Sequence, residues 1–223
     1  MYTSIFNANS FKTALSFIFP IKLGSFISQE HHNIEVYLDK GQYQLIYNNA
    51  IYSYGLYYKP FIYAFNKLEL KELLVFNKVL VLGAGMGSIP FILFEKYGLK
   101  AAYNLVDIDK EILQLCKAFF DYHRIPNTAL YHENAASFVQ NVNESYDLIC
   151  VDIFKNLIIP EYFTTLEFLK NIHDKLNTSG MMIYNFIAND HCAVSDLAAR
   201  IESVFSKMKI VTYRTNHIFI ATK

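Results

Sequence analysis

Apolar and polar positions follow two different rhythms along this chain, and the change comes near residue 60. Before it, residues 33–38 alternate: Ile34, Val36 and Leu38 against Asn33, Glu35 and Tyr37. Alternation puts the apolar set on one face of a strand. Asp39-Lys40-Gly41 follows as a turn and 43–47 reads as the returning strand. Residues 1–60 are therefore expected to hold a small β-hairpin unit and a linker. Beyond that point short apolar runs alternate with helical periodicities over 61–223. Strands are expected at 78–82, 102–106, 129–132, 147–151 and 180–186, and helices at 61–74, 87–97, 109–122, 134–140, 161–176 and 191–206. Near-continuous apolar strands between helices indicate an α/β domain whose parallel sheet is covered on both faces. Residues 209–215 and 217–222 read as a terminal antiparallel hairpin, and no internal repeat or low-complexity tract interrupts the pattern.

The most informative stretch lies between two of these strands. The run Val79-Leu80-Val81-Leu82 breaks into Gly83-Ala84-Gly85-Met86-Gly87, and the next apolar run ends on Leu105-Val106-Asp107-Ile108-Asp109. Strand, glycine turn, helix, strand and carboxylate is the order in which α/β sheets bind nucleosides. Glycines at the turn would let the backbone approach a ligand, and a carboxylate at the strand tip can accept hydrogen bonds from a ribose diol. Asp107 stands nearest the strand end and is assigned the ribose; Asp109 is assigned the cap of the following helix. A further contact is expected at Glu133-Asn134-Ala135, where the Asn134 amide can both accept from and donate to an adenine edge. Ser88 stands where a strict dinucleotide fingerprint places its third glycine, which tilts the reading away from NAD.

A second carboxylate emerges from the fourth strand. In Tyr146-Asp147-Leu148-Ile149-Cys150-Val151-Asp152 the last residue reaches the carboxyl edge of the sheet, where it can hold or deprotonate a substrate amine. Its plain alternative is a turn or capping carboxylate. Tyr52, Tyr54, Tyr57, Tyr58 and Tyr63 crowd the junction between the two parts. Packing between the parts, or an oligomer contact, is the favoured reading of these rings over a substrate pocket.

Bulk properties narrow the partners. Twenty basic residues balance twenty acidic ones, with no block of like charge, so a nucleic-acid partner is not expected. The three cysteines, Cys116, Cys150 and Cys192, are widely spaced, and no histidines have ligand spacing, so neither a disulfide frame nor a metal site is expected. The apolar run 14–19 is interrupted by Pro20 and Lys22, too short for a membrane span and without a cleavage signal. A cytoplasmic location is the resulting expectation.

VLVLGAGMGS, LVDID, HENAASFV, YDLICVDIF and the Pro160–Thr165–Glu167–Phe168 segment together resemble the polyamine aminopropyltransferases (spermidine synthases), over roughly residues 33–187. The resemblance implies the class I methyltransferase-like (Rossmann-like) fold, with an antiparallel last strand and a small N-terminal β-domain. It also implies decarboxylated S-adenosylmethionine or S-adenosylmethionine as the bound compound, a small-molecule acceptor, and a homodimer. Carried over position by position, Asp107 with Ile108 would serve the ribose and Asn134 with Ala135 the adenine. Gly83, Ala84, Gly85 and Gly87 would serve the sulfonium side chain, with Asp152 and Tyr54 at the reacting end. Val81, two positions before the first glycine, is as in that family, where many methyltransferases are acidic. The chain also departs from it. Met86 replaces the aspartate of a GGGDGG loop, Lys155 replaces the second aspartate of a DSSDP-type loop, Asn134 replaces an aspartate, and Tyr54 is all that remains of a tyrosine–histidine–glutamate stretch. These changes remove attraction for a multiply cationic acceptor and add repulsion. The expectation is a spermidine synthase-like transferase moving a methyl or aminopropyl group to an unidentified small acceptor. A nicotinamide-dependent oxidoreductase and a non-catalytic nucleoside-binding protein are the alternatives.

Overall fold

A computed structural model describes residues 2–31, 33–48, 50–155 and 158–223. His32, read in sequence with its neighbour as an adjacent histidine pair, lies outside the described residues.

The N-terminal part is a four-stranded antiparallel meander: β1 (Ile21–Phe26), β2 (Ile34–Asp39), β3 (Gln42–Tyr47) and β4 (Ala50–Ser53), in that spatial order. Helix α1 (Ser10–Leu15) precedes it. The alternating pattern of β2 buries Ile34, Val36 and Leu38, and the tight turn to β3 takes Lys40 and Gly41 at positive φ. Such turns match the twist of paired strands. Strands β1 and β4 extend the expected hairpin. Their sequences hide them: β1 carries a register shift between Lys22 and Gly24, and β4 is four residues long.

The larger part is a seven-stranded sheet. Its strands are β5 (Lys78–Leu82), β6 (Ala102–Asp107), β7 (Thr128–His132), β8 (Tyr146–Val151), β9 (Leu176–Ile187), β10 (Lys207–Tyr213) and β11 (Asn216–Thr222), in the order β10-β11-β9-β8-β5-β6-β7. Strands β5 to β9 pair in parallel; β11 is antiparallel to both β9 and β10. The chain runs from β5 outward through β6 and β7, then returns to the other side of β5 at β8. A crevice opens at the carboxyl edge at such a reversal, which is where ligands of open α/β sheets bind.

The central strands β5, β6, β8 and β9 bury both faces, and the edge strands β7 and β10 are only partly covered. On β5, Val79 and Val81 face one core, shared with α2 (Lys59–Phe65), α4 (Ser88–Phe91), α5 (Lys110–His123) and the N-terminal meander. Leu80 and Leu82 face the other, shared with α6 (Ala135–Asn141), α7 (Leu166–Asp174) and α8 (His191–Glu202). The meander therefore joins the first core through Phe6, Ile34, Val36, Leu38, Tyr43 and Leu45.

Three expected helices come out differently. The helix expected over 61–74 splits into α2 and α3 (Leu70–Leu73), because Glu69 and Glu72 form a capping box that starts a new helix. The helix expected over 87–97 starts as α4 and continues in a wider π-helical turn at Ile92–Lys96. The helix expected over 161–176 opens with a single 3₁₀ turn (Glu161–Thr164) before Thr165 caps α7, and β9 already starts at Leu176. Among the described residues no helix is long and apolar enough to cross a membrane.

The turn after β5 depends on its glycines for packing inside the protein. Gly83 has a φ of 87°, and a Cβ there would lie 2.2 Å from the Asp152 carbonyl oxygen. That carbonyl cannot retreat easily, since the Asp152 N–H is bonded to the Leu82 carbonyl at 2.8 Å. Gly87, at a φ of 84°, packs against the Phe120 ring, 2.3 Å from where its Cβ would be. The close approach that demands these glycines is to the protein's own backbone and core, which corrects the sequence argument that a bound ligand requires them. Gly98 shares the positive φ but has nothing within 4 Å of its would-be Cβ. Gly98→Ala should then cost about 1 kcal/mol from backbone strain alone, and Gly83→Ala about 2 kcal/mol more through overlap. Urea unfolding of the two variants checks the difference.

Candidate functional site

The carboxyl edge of the sheet and the meander enclose one cavity of about 1050 Å³. Binding cavities for small molecules are usually about 300–1,000 Å³, so there is room for a nucleoside and a second small molecule. Asp107 at the end of β6 and Asp152 just past β8 lie on its wall, on opposite sides of the β5 turn.

The Asp107 side sets a carboxylate beside the Asn134 amide. Gly83, Gly85, Ile108, Asn134 and Ala135 line it, with Val106 and Ile112 as apolar floor. Ala84 and Gly87 do not line the cavity. Ala84 instead donates its N–H to Asp107 Oδ2 at 3.0 Å, joined by the Gly85 N–H at 3.4 Å, and the Asp109 N–H reaches Oδ1 at 2.9 Å. A carboxylate offers about four acceptor positions, so the protein itself takes three. The Asp107 carboxylate thus clamps the glycine turn and keeps one acceptor position of Oδ1 for a ligand. Asn134 is likewise committed: its Oδ1 accepts the Ala136 N–H at 2.8 Å and caps α6. One lone pair of Oδ1 is spent on that cap, which leaves the second lone pair and the amide N–H groups for an adenine edge. Asp109 caps α5 through the Glu111 and Ile112 N–H groups and accepts His31 Nδ1 at 2.7 Å, together with the Ser28 hydroxyl. Burial pushes its pKa up, and those hydrogen bonds outweigh burial and hold it below the ordinary value.

The Asp152 side holds a carboxylate fixed by two side chains. Asp152 Oδ2 accepts the Tyr58 hydroxyl at 2.8 Å and Oδ1 accepts the Asn185 amide at 2.9 Å. Burial raises its pKa to about 6, against the pull of both hydrogen bonds. Asp107 is also raised to about 6, first by burial and then by the nearby Asp109 charge, against its three backbone donors. Tyr54 lines the same cavity, but its hydroxyl is bonded to Asp39 and its N–H to Ser88 Oγ at 2.9 Å. Ser88 also bonds Ser53 at 2.6 Å and is buried. The residue at the third-glycine position therefore ties the meander to the sheet domain. Met86 is fully buried in the first core and contributes nothing to the cavity wall, whereas Lys155 is exposed and lines it.

Two residues here were missed in the sequence. Tyr58 was one of five tyrosines given mainly a packing role; Tyr52, Tyr54, Tyr57 and Tyr58 line the cavity, while Tyr63 stacks on Tyr213 at 4.7 Å. Asn185 carried a usable signal, being a lone amide inside the buried run Met182-Ile183-Tyr184-Asn185-Phe186. A buried polar side chain in a central strand usually has a partner to serve. The β10–β11 turn also reaches the cavity, through Tyr213 to Asn216.

A family model described as the spermine/spermidine synthase domain matches residues 56–218. A polyamine aminopropyltransferase of Vibrio vulnificus is 30% identical over 119 residues, which cover 50% of this chain and 40% of the relative. The chain thus spans less than half the length of that curated relative. Among solved structures, a probable spermidine synthase from Corynebacterium glutamicum superposes with a TM-score of 0.70 at 19% identity, covering 89% of this chain and 79% of that one. Human methyltransferase-like protein 13 in complex with SAH gives 0.61 at 20% identity, covering 72% of this chain and 78% of that one. These two establish a methyltransferase-like fold.

Both cavity carboxyls hold their protons more tightly folded than unfolded. They stabilise the fold fully below the unfolded value of 3.8, and that contribution is lost as the pH rises through about 6. Tyr58→Phe removes a donor that lowers the Asp152 pKa, so the Asp152 titration should move to higher pH, by up to about one unit. Carbon NMR titration of the aspartate carboxyls in the two proteins reads the shift directly.

Proposed function

This chain belongs to the spermine/spermidine synthase family, and on that premise we propose that it is a transferase acting on a sulfonium nucleoside, S-adenosylmethionine or its decarboxylated form. One observation carries the reading: Asp107 and Asp152 stand on one cavity wall on either side of the β5 turn, a nucleoside acceptor beside an amine acceptor. The donor set suits the compound. Asp107 and the Asn134 amide offer an acceptor and donors at the places a ribose hydroxyl and an adenine nitrogen would take, and Val106, Ile112 and Ala135 offer an apolar slot for the ring.

When bound, the sulfonium compound supplies an activated carbon with a neutral thioether as leaving group. The protein's part is positioning and proton handling. Holding two reactants in line replaces a bimolecular encounter with an intramolecular one. Tyr58 and Asn185 fix the Asp152 carboxylate between them, so its orientation is set before an acceptor arrives. Above about pH 6 Asp152 is ionised and can anchor an ammonium or take the proton that leaves an attacking amine. Tyr52, Tyr54, Tyr57, Phe154 and Tyr162 give the cavity an aromatic wall.

Calorimetric titration with each sulfonium compound tests the reading. Tight binding of the decarboxylated compound assigns aminopropyl transfer; preference for S-adenosylmethionine assigns methyl transfer. Asp107→Ala should weaken binding of either by roughly tenfold or more, the scale of a lost charge-assisted hydrogen bond. Preference for NADH over both would replace the reading with the oxidoreductase alternative. With a working acceptor, the transfer rate should rise with pH through about 6, and Asp152→Asn should abolish that rise.

A further inference from the structure

Asp152 shares its cavity with four exposed cations, Lys40, Lys59, Lys155 and Arg214. Three segments close its side of the cavity: the start of α2, the loop after β8, and the β10–β11 turn. They bring Lys59, Lys155 and Arg214 to the lining, all with exposed side chains. None of the three takes part in an ion pair among the described residues. Two more carboxylates line the same cavity, Glu30 and Asp107. Asp107 clamps the glycine turn, and Glu30 adjoins His31, which is bonded to the α5 cap.

The aromatic faces point the same way. A ring face attracts a cation within about 6 Å, and a cationic acceptor would use such faces. Here Lys59 Nζ lies 5.7 Å from the centre of the Tyr57 ring, and the Arg214 guanidinium lies 5.5 Å from that of Tyr213. The protein's own cations already hold those faces. A diamine seated with one nitrogen on Asp152 would bring its second ammonium among three like charges. Each close pair at an effective dielectric of about 20 weakens binding by roughly tenfold or more. A molecule with an amine at one end and an anion at the other meets attraction at both ends.

We propose that the acceptor is an amine that carries a carboxylate or phosphate at its far end, with Asp152 receiving the nitrogen and Lys59, Lys155 and Arg214 receiving the anion. The inference rests on the transferase reading above. In the transfer the neutral amine gives its lone pair to the carbon beside the sulfonium, and the carbon–nitrogen bond forms as the carbon–sulfur bond breaks with its electron pair going to sulfur. The proton shed by the new ammonium passes to the Asp152 carboxylate and from there to water.

The test uses the full chain in two stages. The first is titration with the two sulfonium compounds; binding of neither overturns the transferase reading and this inference with it. In the second, protein saturated with the compound that binds is titrated with γ-aminobutyrate, aminopropyl phosphate and putrescine. γ-Aminobutyrate keeps the four-carbon chain of putrescine, with a carboxylate in place of one terminal aminomethyl group. At least one of the anionic amines should bind ten times or more tighter than putrescine, and which one does so distinguishes carboxylate from phosphate. Lys155→Gln with Arg214→Gln, both exposed, should keep the unfolding midpoint and the sulfonium affinity while the preference over putrescine collapses. Putrescine binding as tightly as the anionic amines, or no amine binding at all, overturns the inference and leaves the transferase reading standing. An unchanged preference in the double variant overturns the assignment of these cations.

Discussion

The site depends on the contact between two turns at the carboxyl edge of the sheet. Gly83 presses its backbone against the Asp152 carbonyl, and no side chain of any size fits between them. That approach sets the β5 and β8 turns side by side. Asp107 then fastens the first turn from the other direction, taking the Ala84 and Gly85 N–H groups on one oxygen. Both carboxylates of the cavity are thereby placed by main-chain geometry, and main chain in a parallel sheet moves little. Preorganisation of this kind matters where a reaction is governed by alignment.

The meander is the second wall, and its attachment is as specific as that of a helix. It shares a core with the sheet domain through Phe6, Val36 and Leu45, and Ser88 bonds both Ser53 and the Tyr54 N–H. Tyr58, on the connection out of the meander, reaches Asp152. A shift of the meander would therefore be felt at the candidate base as a change in its hydrogen bonding, and so in its protonation.

Electrostatics give the two ends of the cavity different characters. Asp107 and Asp152 are each raised to about 6 by burial, so both sit close to the point at which a proton is easily gained or lost. Asp107 is held among backbone donors that fix its direction. Asp152 has one hydroxyl, one amide and a rim of lysine and arginine. By resemblance the nucleoside half of the family's residue pattern survives better than the other half, and Lys59, Lys155 and Arg214 line the same cavity as Asp152.

Periodicity and the glycine turn determined a good deal by themselves. The central strands β5, β6 and β8 bury both faces, so each reads as an apolar run with an abrupt end, and the terminal hairpin could be read as well. Asp107 and Asp152 could be picked out because a strand tip has a fixed direction relative to its sheet. Tertiary structure decided the rest, because it concerns pairs of residues far apart in the chain. The packing of Gly87 on Phe120 and the joining of Tyr58 and Asn185 at Asp152 are contacts between separate elements, and Lys59, Lys155 and Arg214 reach one cavity from three of them. Capping also commits Asn134 Oδ1 and the Asp109 carboxylate to backbone donors, which a residue's identity does not reveal. A sequence records which groups a site can draw on; which of them are already spent on holding the fold is fixed only when the chain closes on itself.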